Sequence, residues 1–300
     1  MPVVAVVNRK GGSGKSTLAT HLAGYCANTG QRVMLGDVDR QQSTLAWLRR
    51  RGKLSLPNAV NIAGCAVDPR SAMRPSVGVT HVVLDTPGGL RGLDLARMVM
   101  AADAILMPVC NSAFDRESAA ECHAELMALP RVASGRCKVA VVGMRLDMRT
   151  KAEAQLQAWA AQHRIAFIGS LRETQGYVRC IEMGLTLFDL PATKAQADLA
   201  QWQPIIDWLA QAWRAAEPAE GAARAPPRSA TAAPAPRAAP MLPARSPSQP
   251  LPHPQPQPQQ APALSSDLAP LAVIQPPKTA PRSGIADRLS RLFAAFKTPT

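Results

Sequence analysis

Ten residues, Asn8-Arg9-Lys10-Gly11-Gly12-Ser13-Gly14-Lys15-Ser16-Thr17, constrain this chain more than any other stretch. They stand between the apolar run Val3–Val7 and a helix-like segment from Leu18 to Cys26. A strand delivering the chain into a glycine-rich loop, with a helix behind it, lets backbone N–H groups turn inward without Cβ clashes. It also aims the positive end of the helix dipole at whatever the loop holds. The stretch therefore reads as a phosphate cradle built by Gly11, Gly12, Ser13, Gly14 and Thr17, with Lys15 reaching the outer phosphates and Ser16 the Mg²⁺. Counting back from Gly14-Lys15-Ser16, Arg9 stands where an ordinary phosphate loop has its first glycine, and Lys10 adds a second cation.

Apolar runs recur along the next two hundred residues: Val3–Val7, Arg32–Leu35, His81–Leu84, Ala104–Val109, Lys138–Val142 and Ile165–Ile168. Helical patterns separate them, among them Ser43 to Arg51, Glu117 to Leu129 and Lys194 to Arg214, the last expected to break or bend at Pro204. Runs rich in Val, Ile and Leu without strict polar alternation are expected for strands covered on both faces. The pattern predicts an α/β doubly wound, mostly parallel sheet with helices on both faces. Its ligand would sit beyond the carboxyl ends of the strands. Residues 54 to 79 are poorly patterned.

Acids fall where that architecture would use them. Asp37 and Asp39 leave the second strand two residues apart, so one can serve the Mg²⁺ shell while the other positions the attacking water. Asp85 ends a mostly apolar strand, where a buried carboxylate needs a cation, and Mg²⁺ is its natural partner. Gly88 and Gly89 after it make a loop able to move when a γ-phosphate leaves. Arg49, Arg50, Arg51 and Lys53 form a basic cluster that reads as a solvated helix end.

With these residues in place, the chain resembles the deviant Walker A ATPases of the ParA/MinD family, whose KGG-x-GK-[ST] signature is here KGGSGKS. The resemblance covers residues 2 to about 212 and implies ATP as nucleotide with Mg²⁺. It further implies a homodimer that sandwiches ATP, into whose partner subunit Lys10 crosses. The segment from Asp37 is similar to the family's D-x-D-P-Q, which ties Asp39 to hydrolysis with Asp37 supporting it, although Arg40 replaces the usual proline. The family's Walker B strand matches at Asp85, assigning it to Mg²⁺ through water. Met144 and Arg145 match positions at the adenine pocket. No Gln or arginine finger is evident beside the site, so slow turnover stimulated in trans is expected. By resemblance the partners are a ParB-like stimulating protein and non-specific nucleoid DNA, with Arg149, Lys151, Arg172 and Arg179 as candidate phosphate-backbone contacts. The expected role is DNA segregation, with positioning of a membrane or other polar cargo as the alternative.

Composition divides the chain. Of 28 prolines, 19 lie from Pro218 onward, so residues 1–216 are expected to hold the globular domain. Residues 217–282 read as a disordered Pro/Ala/Gln-rich linker. Residues 283–298 read as a short basic amphipathic helix, with Ile285, Leu289, Leu292, Phe293 and Phe296 on one stripe. Such a segment can dock, over residues 284–297, in a groove of a partner or lie on anionic lipid. The net charge of +13 favours polyanion partners. Cys26, Cys65, Cys110, Cys122, Cys137 and Cys180 form no C-x-x-C pair, as expected of reduced thiols in a cytoplasmic, nucleoid-associated protein with at most peripheral membrane contact. An iron–sulfur carrier would need paired cysteines, and an autophosphorylating kinase a tyrosine-rich tail. Only Tyr25 and Tyr177 exist.

Overall fold

The computed structural model describes residues 1–56, 61–71 and 73–216. Strands and helices alternate along it: β1 (Val3–Val6), α1 (Lys15–Asn28), β2 (Val33–Asp37), α2 (Ser43–Arg51), β3 (Ile62–Ala66) and β4 (His81–Asp85). Then come α3 (Gly92–Ala101), β5 (Ala104–Val109), α4 (Ala113–Met127), α5 (Pro130–Ala133) and β6 (Lys138–Leu146). The series closes with α6 (Ala152–Gln162), β7 (Ala166–Arg172), α7 (Gln175–Met183), a 3-10 turn at Leu187–Asp189 and α8 (Ala192–Ala216). The strands form one seven-stranded sheet in the order β3-β2-β4-β1-β5-β6-β7. Every described pairing is parallel. This is the doubly wound α/β fold that the apolar runs predict.

The central strands are apolar because both faces are covered. Val4, Ala5, Val6, Leu35, Val83, Leu84, Leu106 and Met107 are buried almost completely, and each buried Leu or Val stabilises by roughly 1.5–3 kcal/mol. Polar groups then lock the strand exits. Asn8, fully buried, donates from Nδ2 to the Pro108 carbonyl at 2.6 Å and accepts the Lys10 N–H at 3.1 Å. Thr86 donates to the Val6 carbonyl at 2.7 Å, tying the exit of β4 to that of β1. The glycine loop and the strand-end acids therefore start from a rigid platform.

Four expectations change. β3 lies in the stretch left without a pattern, and β2, β4, β6 and β7 all run further toward the site than their apolar runs indicate. α4 starts at Ala113 rather than Glu117, capped by the Ser112 hydroxyl, which accepts the Asp115 N–H at 3.1 Å. α8 is not broken at Pro204 but runs on to Ala216, and the proline is exposed. Among the described residues no helix is long and apolar enough to cross a membrane. All six cysteines are free, and all but Cys65 are buried. The linker at 217–282 and the amphipathic segment at 283–298 lie outside the described residues.

Candidate nucleotide-binding site

A cleft of about 730 Å³ opens at the carboxyl end of the sheet, walled by the glycine loop, the loops after β2 and β4, the ends of β6 and β7, and α7. Gly11, Gly12, Gly14, Lys15, Ser16 and Thr17 all line it, while Ser13 is buried in the loop's interior. Gly12 and Gly14 adopt φ of 75° and 93°, a region L residues avoid. A Cβ on Gly14 would also meet Met144 Cε at 2.7 Å, so that flexible side chain would have to give way. Gly14 is the N-cap of α1 and no side chain caps the helix, which leaves its first N–H groups directed at the cleft. Lys15, buried, donates to the loop's own Lys10 carbonyl at 2.9 Å. Burial lowers its pKa, against the opposing pull of Asp85 and Asp39.

The two lysines differ in their freedom. Lys10 Nζ lies 3.5 Å from Asp115 Oδ1 and 5.7 Å from the Phe114 ring centroid, both on the first turn of its own chain's α4. A half-exposed pair of that length is worth about 0–1 kcal/mol, too little to hold the side chain there against a better partner.

The acids separate sharply. Asp85 is fully buried and neither carboxylate oxygen has a hydrogen-bond partner. Burial pushes its pKa up to about 7, drawn back by the neighbouring Ser16 hydroxyl and Lys15 and raised again by Asp37 and Asp39. An orphaned buried carboxylate beside a phosphate cradle is the donor a divalent cation, or its bound water, would satisfy, so Ser16 and Asp85 fit Mg²⁺. Among the described residues there is no group of three or more His, Cys, Asp or Glu that could hold a metal ion.

Asp37 has a different task from the metal role expected of it. Its Oδ2 accepts from the Thr44 N–H (3.0 Å), the Thr44 hydroxyl (2.6 Å) and the Leu45 N–H (3.2 Å), and its Oδ1 from the Asp39 N–H (3.1 Å). Oδ2 is spent on the start of α2 and Oδ1 on the loop that leads to it. Asp39 instead lines the cleft, with Oδ1 accepting the Gln41 N–H at 3.0 Å. Gln41 lines the cleft too, correcting the expectation of no glutamine beside the site. Its place two residues after Asp39, on the same loop, is the signal in the sequence.

Met144, Arg145, Leu171, Glu173, Thr174 and Tyr177 wall the far end of the cleft. Arg145 has φ 52°, at a register shift between Met144 and Leu146, so a bulge turns it toward the cleft. Its Nη2 lies 3.6 Å from Cys110 Sγ.

The four candidate DNA contacts do not form one surface of free cations. Arg172 forks Asp198, Nε to Oδ1 at 2.5 Å and Nη2 to Oδ2 at 3.2 Å, and lines the nucleotide cleft, so its charge is committed within the domain. Arg149 is exposed and paired with Asp147 at 3.0 Å, Lys151 is exposed, and Arg179 on α7 is half-buried. Arg51, expected at a solvated helix end, is fully buried, with Nη1 at 2.7 Å and Nη2 at 2.8 Å from the Asp189 carboxylate.

A glycine cradle on a parallel α/β sheet, with the buried, unpartnered Asp85 opposite, defines a nucleotide-binding protein. The chain belongs to the family described as the CobQ/CobB/MinD/ParA nucleotide binding domain, whose model matches residues 4–299. It is 32% identical over 216 residues to the Maintenance of carboxysome distribution protein A of Gloeobacter kilaueensis, which is 71% of this chain and 95% of that protein. It is 28% identical over 189 residues to the Chromosome-partitioning ATPase Soj of Thermus thermophilus, 52% of this chain and 75% of that one. Its fold is that of the Cyanothece McdA–ATP complex, with TM-score 0.53 at 14% identity, covering 71% of this chain and 96% of the other.

Proposed function

We propose that this protein is an ATP-dependent dimerising switch that partitions or positions a cargo, hydrolysing ATP slowly until a partner protein stimulates it. The observation that carries the reading is the second cradle lysine. Lys15 is already fixed in the loop, and Lys10 stands half-exposed on a weak pair, available to a nucleotide held by a second copy. Within one subunit the glycine loop and α1 hold the phosphates, and Ser16 and Asp85 the Mg²⁺. That ion would neutralise charge on the phosphates and orient them for in-line attack. Asp39 faces the cleft with Gln41 beside it and orients the attacking water.

Lys10→Ala tests this. Nucleotide affinity should stay within about threefold while ATP-dependent dimerisation, read by light scattering, and hydrolysis fail together. Intact dimerisation of the variant sinks the reading.

DNA segregation is the proposed cargo role, in keeping with the net charge of +13 and the likeness to Soj. Distribution of a protein assembly is the second reading, favoured by the likeness to the carboxysome distribution protein over nearly its whole length. Co-sedimentation with DNA and with anionic vesicles in ATP, on the full chain and on one ended at residue 280, separates DNA from membrane attachment. Retention on neither leaves the protein-assembly reading.

A further inference from the structure

Arg9 makes contacts that phosphate binding does not require. Its Nη1 donates to Glu121 Oε2 at 3.0 Å and its Nη2 to Glu125 Oε2. The other oxygen of Glu125 accepts the backbone N–H of Gly92 at 2.6 Å. Arg9's own carbonyl accepts the N–H of Gly89, also at 2.6 Å. A single cradle residue thus grips the segment after Asp85 at two points, Gly89 through its carbonyl and Gly92 through Glu125. Just ahead of them the backbones run so close that a Cβ on Gly88 would stand 3.4 Å from Gly11 Cα and 3.5 Å from the Arg9 carbonyl oxygen.

The two glutamates are not equivalent. Glu121 is 72% exposed, so its pair with Arg9 is screened, whereas the Glu125 side chain is 25% exposed and sits between two donors. Burial works to raise the Glu125 carboxyl, but Arg9 and the Gly92 N–H outweigh it and hold it below its ordinary range. Gly92 is the first residue of α3, whose outer face carries Leu93 and Met100, 75% and 67% exposed. Whatever moves the segment moves that apolar face.

We propose that Arg9 is a positioning residue that fixes the Gly88–Gly92 segment to the phosphate loop through Glu125 and its own carbonyl, coupling the cradle to the start of α3. Only the kinetic part of this inference rests on the ATPase reading given above.

Amide hydrogen exchange across residues 88–93 tests it directly, in Arg9→Ala, Glu125→Ala and Glu121→Ala chains. Exchange should quicken about tenfold in the first two and by less than about threefold in the third. In steady-state kinetics, Arg9→Ala should keep its ATP Kd within about threefold while kcat falls about tenfold or more. The charge-reversed pair Arg9→Glu with Glu125→Arg should regain protection that neither single change retains. Should Arg9→Ala fold poorly by circular dichroism, Arg9→Lys, which keeps the charge and loses the fork, should exchange at an intermediate rate. Unchanged exchange in Arg9→Ala, equal loss of affinity and kcat, or no recovery in the reversed pair overturns the proposal. If the wild-type chain hydrolyses no ATP, the functional reading fails, and the exchange results still decide this one.

Discussion

Asp37 and Asp85 are register partners on β2 and β4, yet they occupy opposite electrostatic situations. Asp37 accepts four hydrogen bonds, while Asp85 has no partner at hydrogen-bond geometry and only the neighbouring Ser16 hydroxyl and Lys15 to favour its charge. Its pKa of about 7, above the unfolded value of 3.8, means that the folded state keeps a proton the unfolded chain has lost. Stability from this group is therefore whole below pH 4 and declines as pH rises to 7, by an amount on the order of 4 kcal/mol. His21 opposes it: burial lowers its pKa to about 4, so its share is lost as pH falls from 6.5. Asp85→Asn isolates the first effect. In urea melts with EDTA and no nucleotide, the variant should gain on wild type by a few kcal/mol at pH 8 and by almost nothing at pH 4. A difference that is flat with pH refutes the assignment. Both acids are visible in the sequence as strand-end carboxylates. Which of them α2 consumes depends on where that helix begins, and a strand pattern carries no such information.

At the scale of elements, the sheet's interior was legible and its margin was not. β3 buries only Ile62 of its five residues, as an edge strand with one flank open, and its run Ile62-Ala63-Gly64-Cys65-Ala66 holds small residues with no Val and a single Ile, too weak a pattern to stand out. α2 misleads in the opposite direction, since three consecutive arginines suggest a wet helix end. Trp47 and Arg51, four residues apart, share one face of the helix, and that face is buried. Trp47 Nε1 donates to the Leu185 carbonyl at 3.2 Å, and Arg51 reaches the Gly184 carbonyl at 3.3 Å as well as Asp189. Asp189 also accepts from Asn28 and Thr186, and though burial would raise its carboxyl, Arg51 leads the partners that hold it low. Gly184 permits this packing: its φ is 77°, and a Cβ there would lie 2.6 Å from the Arg51 backbone nitrogen. The clamp ties α2, whose start Asp37 caps, to α7, which walls the cleft. Arg51→Ala strands a buried carboxylate and should cost about 3–5 kcal/mol in chemical denaturation, whereas Arg50→Ala, exposed one residue away, should cost under about 0.5 kcal/mol. Equal losses for the two would dissolve the clamp.

For the whole molecule, the proposed switch has a thermodynamic signature that needs no cargo. A ligand bound only by the folded chain stabilises it by about 2.7 kcal/mol at one hundred times its Kd, whatever the protein concentration. If ATP also closes a dimer, the Tm measured with ATP and Mg²⁺ must climb with protein concentration, because association is then part of the folded state. With ADP, lacking the γ-phosphate, the ligand shift should remain and the concentration dependence should vanish. The chain's own residues divide these two responses. Lys15 and the glycine loop belong to the first, so Lys10→Ala should retain the ligand shift in both nucleotides. Lys10 belongs to the second, since its side chain is held at home by Asp115 at 3.5 Å and the Phe114 ring, both weak contacts, and the variant's Tm in ATP should be flat from about 1 to 100 μM protein. Asp115→Asn weakens that home contact and should steepen the dependence. A wild-type Tm in ATP that ignores protein concentration would leave the second lysine without the partner that explains it, and with it the dimerising switch.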